Sequence, residues 1–447
     1  MTVIPSYLFD KSLHQRILAL ALPMVLSNIT VPLLGLVDAA VIGHLEHAWY
    51  LGGVALGSTM ISVTFWLLGF LRMSTTGLTA QAAGGNDKCA LGLTFVQGSI
   101  MALVFAMVFL ILHGAVAHYV FALSDASAEV KHYGEQYFSI RVWSAPAALM
   151  NFVLLGWLLG TQDAKAPMWM VIITNLMNII LDVVFVLGLG WKVEGAALAS
   201  VMADYSGMSF GLWCVVRSWQ RQNLPSPMLL VGDITNNIGR FVRLNRDIFF
   251  RSLCLQMTLS FMTFQGASYG DNIVAANAVL MSFLMIISYG MDGFAYAMEA
   301  MVGKAVGAKR RDELKESIAG TFLWGTVICF GLSLIFLIFG RALVGMITSI
   351  KEVQAVAYAY LPWLVAMPLV SLWAFLFDGL FIGATKGREM RNSMFIATCF
   401  FFIAFSMASG FGNHALWLAM SLFMGMRGIG LAVIFVRQWG RGQFLVH

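Results

Sequence analysis

The sequence predicts an all-α integral membrane fold in which twelve transmembrane helices form two pseudo-symmetric six-helix bundles. Three observations carry that reading. Composition is the first: 60% of the 447 residues are hydrophobic and only 11% are charged, a balance that suits lipid better than water. The second is the recurrence of apolar runs of about 20 residues or more, each long enough to cross a bilayer as a helix. The third is an internal echo. Gly156 to Gly160 (GWLLG) returns half a chain length later as Gly379 to Gly383 (GLFIG), and each copy leads into a polar basic stretch, TQDAK or ATKGR. Ala82 to Gly85 (AAGG) returns at the same offset as Ala305 to Ala308 (AVGA), again before a charged turn. Duplicated halves in a membrane protein suit two bundles that rock against each other around a shared cavity.

Taken in order, the apolar runs place spans at Ile17 to Ile42, Leu51 to Ala82, Ala90 to Val116, Tyr133 to Leu159, Met168 to Leu189 and Ala196 to Val216. The second half repeats the pattern at Ile248 to Ala267, Ile273 to Val302, Ile318 to Phe339, Val353 to Ile382, Ser393 to Ser409 and Ala415 to Val436. Six spans in each half make the two copies parallel, related by an axis along the membrane normal. The N-terminal lobe then covers residues 1–219 and the C-terminal lobe 246–436. Between them residues 220–245, with Pro225, Pro227 and Gly232, read as a linker, and residues 437–447 form a tail.

Basic residues set the orientation, because loops rich in Lys and Arg resist translocation. With the N-terminus inside, 20 of the 27 Lys and Arg residues fall on the cytoplasmic side, including the stretch Arg217 to Arg251 and the cluster Lys304 to Lys315. Both termini and the linker are then cytoplasmic. The net charge of +5 reports topology, and nucleic acid is not an expected partner. The first apolar run is too long for a signal peptide and lacks a small-residue cleavage site, so it is expected to stay as a helix. Cys89, Cys214, Cys254, Cys329 and Cys399 show no metal spacing and no disulfide framework.

Ionisable residues at membrane depth are costly, which makes each one a functional candidate. Asp38 lies in the first span, together with Pro23 and Pro32. Each proline lacks an N–H and frees a carbonyl one turn back, on Ala19 and Asn28, so this helix can bend. An acid near those breaks changes its hydration as the helix bends. The alternative is an Asp satisfied by a neighbouring Arg or hydroxyl. In the fifth span Thr174, Asn178 and Asp182 follow at intervals of four and share one helix face. Counting back from the outer ends at about 1.5 Å per residue places Asp38, Asp182, Ser200 and Asp204 at comparable depths. One polar pocket in the N-terminal bundle can collect them, and interhelical hydrogen bonding is the alternative. Such a pocket suits a proton or Na⁺, since a desolvated carboxylate holds protons well and hard oxygens suit a small hard cation.

The second half carries Tyr289, Asp292, Tyr296 and Glu299 at helical spacing in span eight, and Asp378 in span ten. These lie toward the cytoplasm, where basic groups can neutralise them, so structural ion pairing competes with a transport role. Arg72, Arg141 and Arg427 fall inside spans, and Arg72 and Arg427 are expected partners for acids or carbonyls. With no GxSxG elbow or HExxH motif, catalysis is not expected. The 34 Phe and 28 Met offer adaptable apolar surface, and a nearby carboxylate favours organic cations.

The segment LALPMVLSNITVPLLGLVDAAVIGHL, followed by LGGVAL, resembles the opening of the multidrug and toxic compound extrusion (MATE) family in its DinF-like branch. RMSTTGLTAQAAG, LLGWLLGTQDAKAPM, NLMNIILDVVFVLGLGWKVEGAALAS and LNRDIFFR extend the resemblance over nearly the whole chain. It implies a V-shaped carrier of two six-helix lobes that exchanges amphipathic, often cationic compounds for inward-moving H⁺ or Na⁺. It also implies a cation site at Asp38, Asn178 and Asp182, with Ser200 where many members have Thr, and the same four residues as ligands if the ion is Na⁺. Coupling by bending of the first helix at Pro23 follows from the resemblance as well. Other branches place an acid in span seven, but Ile248 to Ala267 has none and offers Gln256 and Gln265, which favours the N-terminal lobe.

These readings lead to an antiporter of the bacterial inner membrane that exports amphipathic, mostly cationic compounds by alternating access, with H⁺ favoured over Na⁺. Its expected partners are the lipid bilayer and small amphipathic substrates, it needs no cofactor beyond the coupling ion, and it acts as a monomer. A flippase for lipids or lipid-linked precursors is the alternative, for which a basic central cavity is expected. An intramembrane hydrolase is a third, lacking a recognisable nucleophile or aspartyl pair.

Overall fold

A computed structural model describes residues 10–43, 45, 47–123 and 126–445, and among these every regular element is helical. The first half holds α1 (Lys11–Gly43), α2 (Ala48–Leu67), α3 (Phe70–Gly84), α4 (Lys88–Leu123), α5 (Ala128–Arg141), α6 (Ala145–Gly160), α7 (Lys165–Asp182) and α8 (Lys192–Gln222). A short α9 (Pro227–Gly232) precedes α10 (Ile238–Ala267), α11 (Asp271–Gly307), α12 (Arg311–Ile347), α13 (Lys351–Gly383), α14 (Gly387–Ala408) and α15 (Asn413–Gly440). Two helices are interrupted in mid-course: α2 bends into α3 at Leu68 and Gly69, and α5 passes through a 3₁₀ turn at Val142–Ser144 before α6 starts with Pro146 near its first position. Among the described residues twelve long continuous stretches can be counted, ten of them long and apolar enough to cross a membrane by length and composition. The other two are α8 and α10, of 31 and 30 residues; α8 carries charged side chains near both ends and α10 in its first half.

The half-chain period extends from sequence into backbone. The stretch from α2 to α3 covers 48–84 and α11 covers 271–307; α5 to α6 covers 128–160 and α13 covers 351–383. Two pairs of turns follow the same offset. Asn86 and Lys309 adopt φ of 53° and 54°, and Gln162 and Thr385 adopt 69° and 54°. In each case the left-handed residue ends a helix whose carbonyl receives the next N–H, as Asp87 donates to Ala82 and Arg310 to Ala305, the closure that stops a helix sharply.

Glycine explains how the echoed motif works. A Cβ on Gly156 would lie 2.5 Å from the carbonyl oxygen of Arg72, and a Cβ on Gly379 would lie 2.5 Å from that of Ala295. Arg72 and Ala295 are themselves separated by the same half-chain offset. One turn on, Gly160 faces the Thr76 carbonyl and Gly383 the Glu299 carbonyl. The motif is therefore a backbone contact, α6 against α3 in one half and α13 against α11 in the other, and small residues are what allow helices to approach so closely.

The helices gather into two compact units, one running from Leu26 to Phe241 and the other comprising the described residues up to Val25 and from Val242 onward. α1 is thus divided between them, in the interval between Pro23 and Pro32. Its first part, placed by the sequence in the N-terminal lobe, packs on the C-terminal helices: Leu13, Ile17, Leu20, Ala21 and Met24 are buried at helical spacing. Gly320 of α12 leaves room for Leu13 and Ile17, and Gly293 of α11 for Ala21 and Val25. Its last turns carry Val41 and Ile42 into a cluster with Tyr50, Tyr137, Val186 and Val193.

The inter-lobe linker is strapped to the N-terminal unit. Leu230 fills a notch over Gly92 and Trp219, the Trp219 indole donates to the Pro225 carbonyl at 3.0 Å, and the Gln97 amide donates to the carbonyls of Ile234 and Asn236 at 2.8 and 2.9 Å. The end of the expected linker is already the start of α10.

Gly156→Ala and Gly379→Ala should each force a helix pair apart and cost about 1–3 kcal/mol, seen as a lower thermal unfolding midpoint of the purified chain in detergent. Gly331→Ala, whose new methyl would meet nothing within 4 Å, should leave the midpoint unchanged or slightly raised.

Candidate functional site

Four helices of the N-terminal unit bring polar side chains to one place. α1 contributes Asp38, partly buried; α7 contributes Asn178 and Asp182, with Asp182 only 2% exposed; α8 contributes Ser200; α5 contributes Tyr137. The carboxyl groups of Asp38 and Asp182 face each other within hydrogen-bonding reach. Each also keeps a buried oxygen, Oδ1, to which no donor is directed. Beside the pair, Asn178 Nδ2 donates to Ser200 Oγ at 3.1 Å, and the Tyr137 hydroxyl comes within reach of the same Ser200. Four of the residues singled out in the sequence, Asp38, Asn178, Asp182 and Ser200, therefore meet.

The other two, Thr174 and Asp204, belong to an adjoining cavity of about 210 Å³. Asp204 does not join the carboxyl pair. It is held by Arg141, whose Nη1 lies 2.7 Å from Asp204 Oδ2 and also bonds Ser144 Oγ. Arg141 ends α5, so the 3₁₀ turn that follows brings Ser144 back against it. Its guanidinium lies 5.8 Å from the centroid of the Phe65 ring, an attractive cation–π arrangement, and within hydrogen-bonding reach of Tyr137. Thr174 turns its hydroxyl to its own helix, donating to the Met170 carbonyl at 2.9 Å. Asn151 donates from Nδ2 to the Asp204 carbonyl at 3.0 Å, while its buried Oδ1 receives no donor. The polar string from carboxyl pair to cavity thus runs through Tyr137 and Arg141. Sequence reasoning places Arg141 inside a span without a partner and passes over Tyr137. The signal is present: the two are four residues apart and share a helix face.

The C-terminal unit answers the same positions differently. At the half-chain offset Asp38, Asn178, Asp182 and Ser200 become Phe261, Phe401, Phe405 and Phe423. These four also meet. Ring centroids lie 5.9 Å apart for Phe261 and Phe401, 5.2 Å for Phe261 and Phe405, and 6.2 Å for Phe401 and Phe423, all near edge-to-face, a favourable aromatic geometry. The acids of this unit sit elsewhere. Asp378 is clasped by two buried guanidiniums, that of Arg251 and that of Arg427, the latter at 2.6 Å. On α11, Tyr289, Asp292 and Tyr296 are partly buried and Glu299 is fully buried. All four are engaged by neighbours, and Asp292 lies within the electrostatic reach of Arg427.

Two matching helical bundles, with a carboxyl pair buried in one of them, are the architecture of a membrane transporter. A MatE sequence profile matches residues 23–184 and 248–408, and the chain belongs to the MatE family, whose members are transporters and not enzymes. It is 44% identical to the DNA damage-inducible protein F of Escherichia coli over 95% of this chain and 92% of that one. It is 22% identical to the probable multidrug resistance protein NorM of Thermotoga maritima over 84% of this chain and 80% of that one. Among solved structures, a MATE transporter of Vibrio cholerae superposes with a TM-score of 0.84 at 19% identity, covering 99% of this chain and 100% of that one.

Asp378→Asn should be strongly destabilising, by about 3–5 kcal/mol, because it leaves two buried guanidiniums without their counter-charge. A sharply lower yield of folded protein and a lower unfolding midpoint in detergent would register it. Replacing Asp378, Arg251 and Arg427 together by apolar residues of similar size should recover much of that loss.

Proposed function

We propose that the chain exports amphipathic, mostly cationic organic compounds across a bacterial inner membrane in exchange for inward-moving H⁺, by alternating access, with Asp38 as the coupling residue. One observation carries this reading: two carboxyl groups face each other within hydrogen-bonding reach, and each keeps a buried oxygen to which no donor is directed. Hydrogen bonding across such a pair requires a proton, and a proton gained or lost there changes the charge of the site in surroundings where charge is expensive. The name of the Thermotoga maritima relative, a probable multidrug resistance protein, supports the handling of drugs.

The coupling ion follows from the donor set. Asp38, Asn178, Asp182 and Ser200 are also the ligands that a Na⁺ would use, but a proton needs only the two carboxyl oxygens and satisfies both acids at once. Thr174 and Asp204 belong to the substrate side of the site, where Phe65 and Met170 provide apolar, adaptable contact and Asp204 provides negative charge. Bending of α1 at Pro23 and Pro32 links the two events. The prolines flank the place where α1 leaves one compact unit for the other, and both lack the N–H that would hold the helix straight. Tyr289, Asp292, Tyr296, Glu299 and Asp378 serve structure in this scheme. The chain acts as a monomer in the bilayer with both termini in the cytoplasm.

Everted vesicles containing the chain should lose a preformed proton gradient when a cationic dye is added, and Asp38→Asn should abolish that response while leaving the unfolding midpoint close to wild type. Unchanged exchange in Asp38→Asn removes the coupling assignment. A response to lipid-linked precursors in place of the dye indicates a flippase.

A further inference from the structure

We propose that Arg141 is a movable counter-charge that passes between Asp204 and the Asp38–Asp182 pair, so that proton release from the pair unmasks Asp204 as the anionic partner of a cationic substrate. The inference rests on the coupling role given above to the carboxyl pair and adds the step that transmits it to the cavity.

The charged and titratable groups acting on Arg141 define its two stations. Asp204 of α8 holds it at 2.7 Å. Tyr137, one turn back on α5, also lies within hydrogen-bonding reach, and Asp38 of α1 acts on the guanidinium electrostatically. Asp182 of α7 faces Asp38 and acts electrostatically on the same Tyr137. From α6 comes the neutral Asn151 amide and from α2 the Phe65 ring. The guanidinium has donors to spare, rides on a flexible stem, and issues from a residue where α5 gives way to a 3₁₀ turn.

Charge balance gives the motion its direction. The cluster holds three carboxyl groups, Asp38, Asp182 and Asp204, and one guanidinium. With both members of the pair protonated it is neutral, and Arg141 and Asp204 satisfy each other. A cation entering the cavity then finds no uncompensated negative charge. When one proton leaves for solvent, the pair carries a negative charge and draws Arg141 toward it through Tyr137, which leaves Asp204 exposed to the cavity. One cation restores neutrality. Proton and monovalent cation thus replace each other one for one at a site that cannot remain charged cheaply. The bare Oδ1 of Asn151, which receives no donor inside the protein, adds an acceptor for ligands that carry an N–H.

The test is equilibrium binding of tetraphenylphosphonium to the purified full chain in detergent, at acid and at alkaline pH. The wild type should bind at least roughly tenfold tighter at alkaline pH, as expected when a buried charge loses or gains its partner. Arg141→Gln should bind tightly at both, because Asp204 is never masked. The double variant Asp38→Asn, Asp182→Asn should bind weakly at both, because Arg141 never leaves. Loss of pH dependence with opposite plateaus is not the signature of general damage, and Arg141→Lys should restore the dependence. If Arg141→Gln keeps the wild-type pH response while the double variant flattens it, the moving counter-charge is wrong and the coupling pair survives. If the double variant keeps the response, the pair itself is wrong. Should Arg141→Gln fail to fold, Asp204→Asn decides, since tight alkaline binding by that variant overturns the proposal.

Discussion

Inside a membrane the charge on a side chain can be answered only by another part of the protein, and the internal organisation of both bundles follows from that constraint. The C-terminal unit answers in excess. Asp378 has two guanidiniums on it, so three helices, α10, α13 and α15, are tied at one point by an acid that has no freedom to exchange partners. The N-terminal unit leaves its charges less fully answered. Asp38 and Asp182 have each other, one amide and two hydroxyls nearby, and two buried oxygens with nothing directed at them. A site built for stability alone would close that gap, and the arginine available to do so, Arg141, is occupied with Asp204.

The contrast is sharper because the scaffold is repeated. Helix ends, left-handed turns and glycine contacts recur at an offset of half the chain, so the two units present the same positions to their interiors. One fills the quartet with acids, an amide and a hydroxyl; the other fills it with four phenyl rings. Backbone geometry is therefore insufficient for chemistry here. Asp204 of the first unit corresponds to Arg427 of the second, so that position carries half of an ion pair in both, acidic in one and basic in the other, whereas their partners Arg141 and Asp378 correspond to Leu364 and Leu155.

Much of this is legible from the residues. Apolar run lengths reveal the helices, the GWLLG echo reveals the duplication, and the interval of four between Asn178 and Asp182 places both on one face. Depth counting brings Asp38, Asp182 and Ser200 to a common level, where they meet. It also brings Asp204 to that level, but depth says nothing about bearing around a helix axis, and Asp204 turns toward Arg141. Partnerships between helices are not legible for the same reason: nothing in the order of residues says that Arg251 and Arg427 converge on Asp378. The attachment of the linker is hidden too. Pro and Gly composition reports turns, whereas the Gln97 amide and the notch over Gly92 that fix the segment lie far away in sequence.

The division of α1 has a consequence for the protein as an assembly of parts. Leu13, Ile17 and Ala21 fill grooves over Gly293 and Gly320 that belong to the carboxy-terminal helices, while the same helix carries Asp38 into the amino-terminal bundle. A gene cut at the linker would not yield two complete modules. The carboxy-terminal fragment would lack the turns that seal its own interior, and the amino-terminal fragment would bear an apolar stump seeking those grooves. Co-produced fragments would accordingly reassociate through that stump, which makes the protein separable by genetics but not by folding.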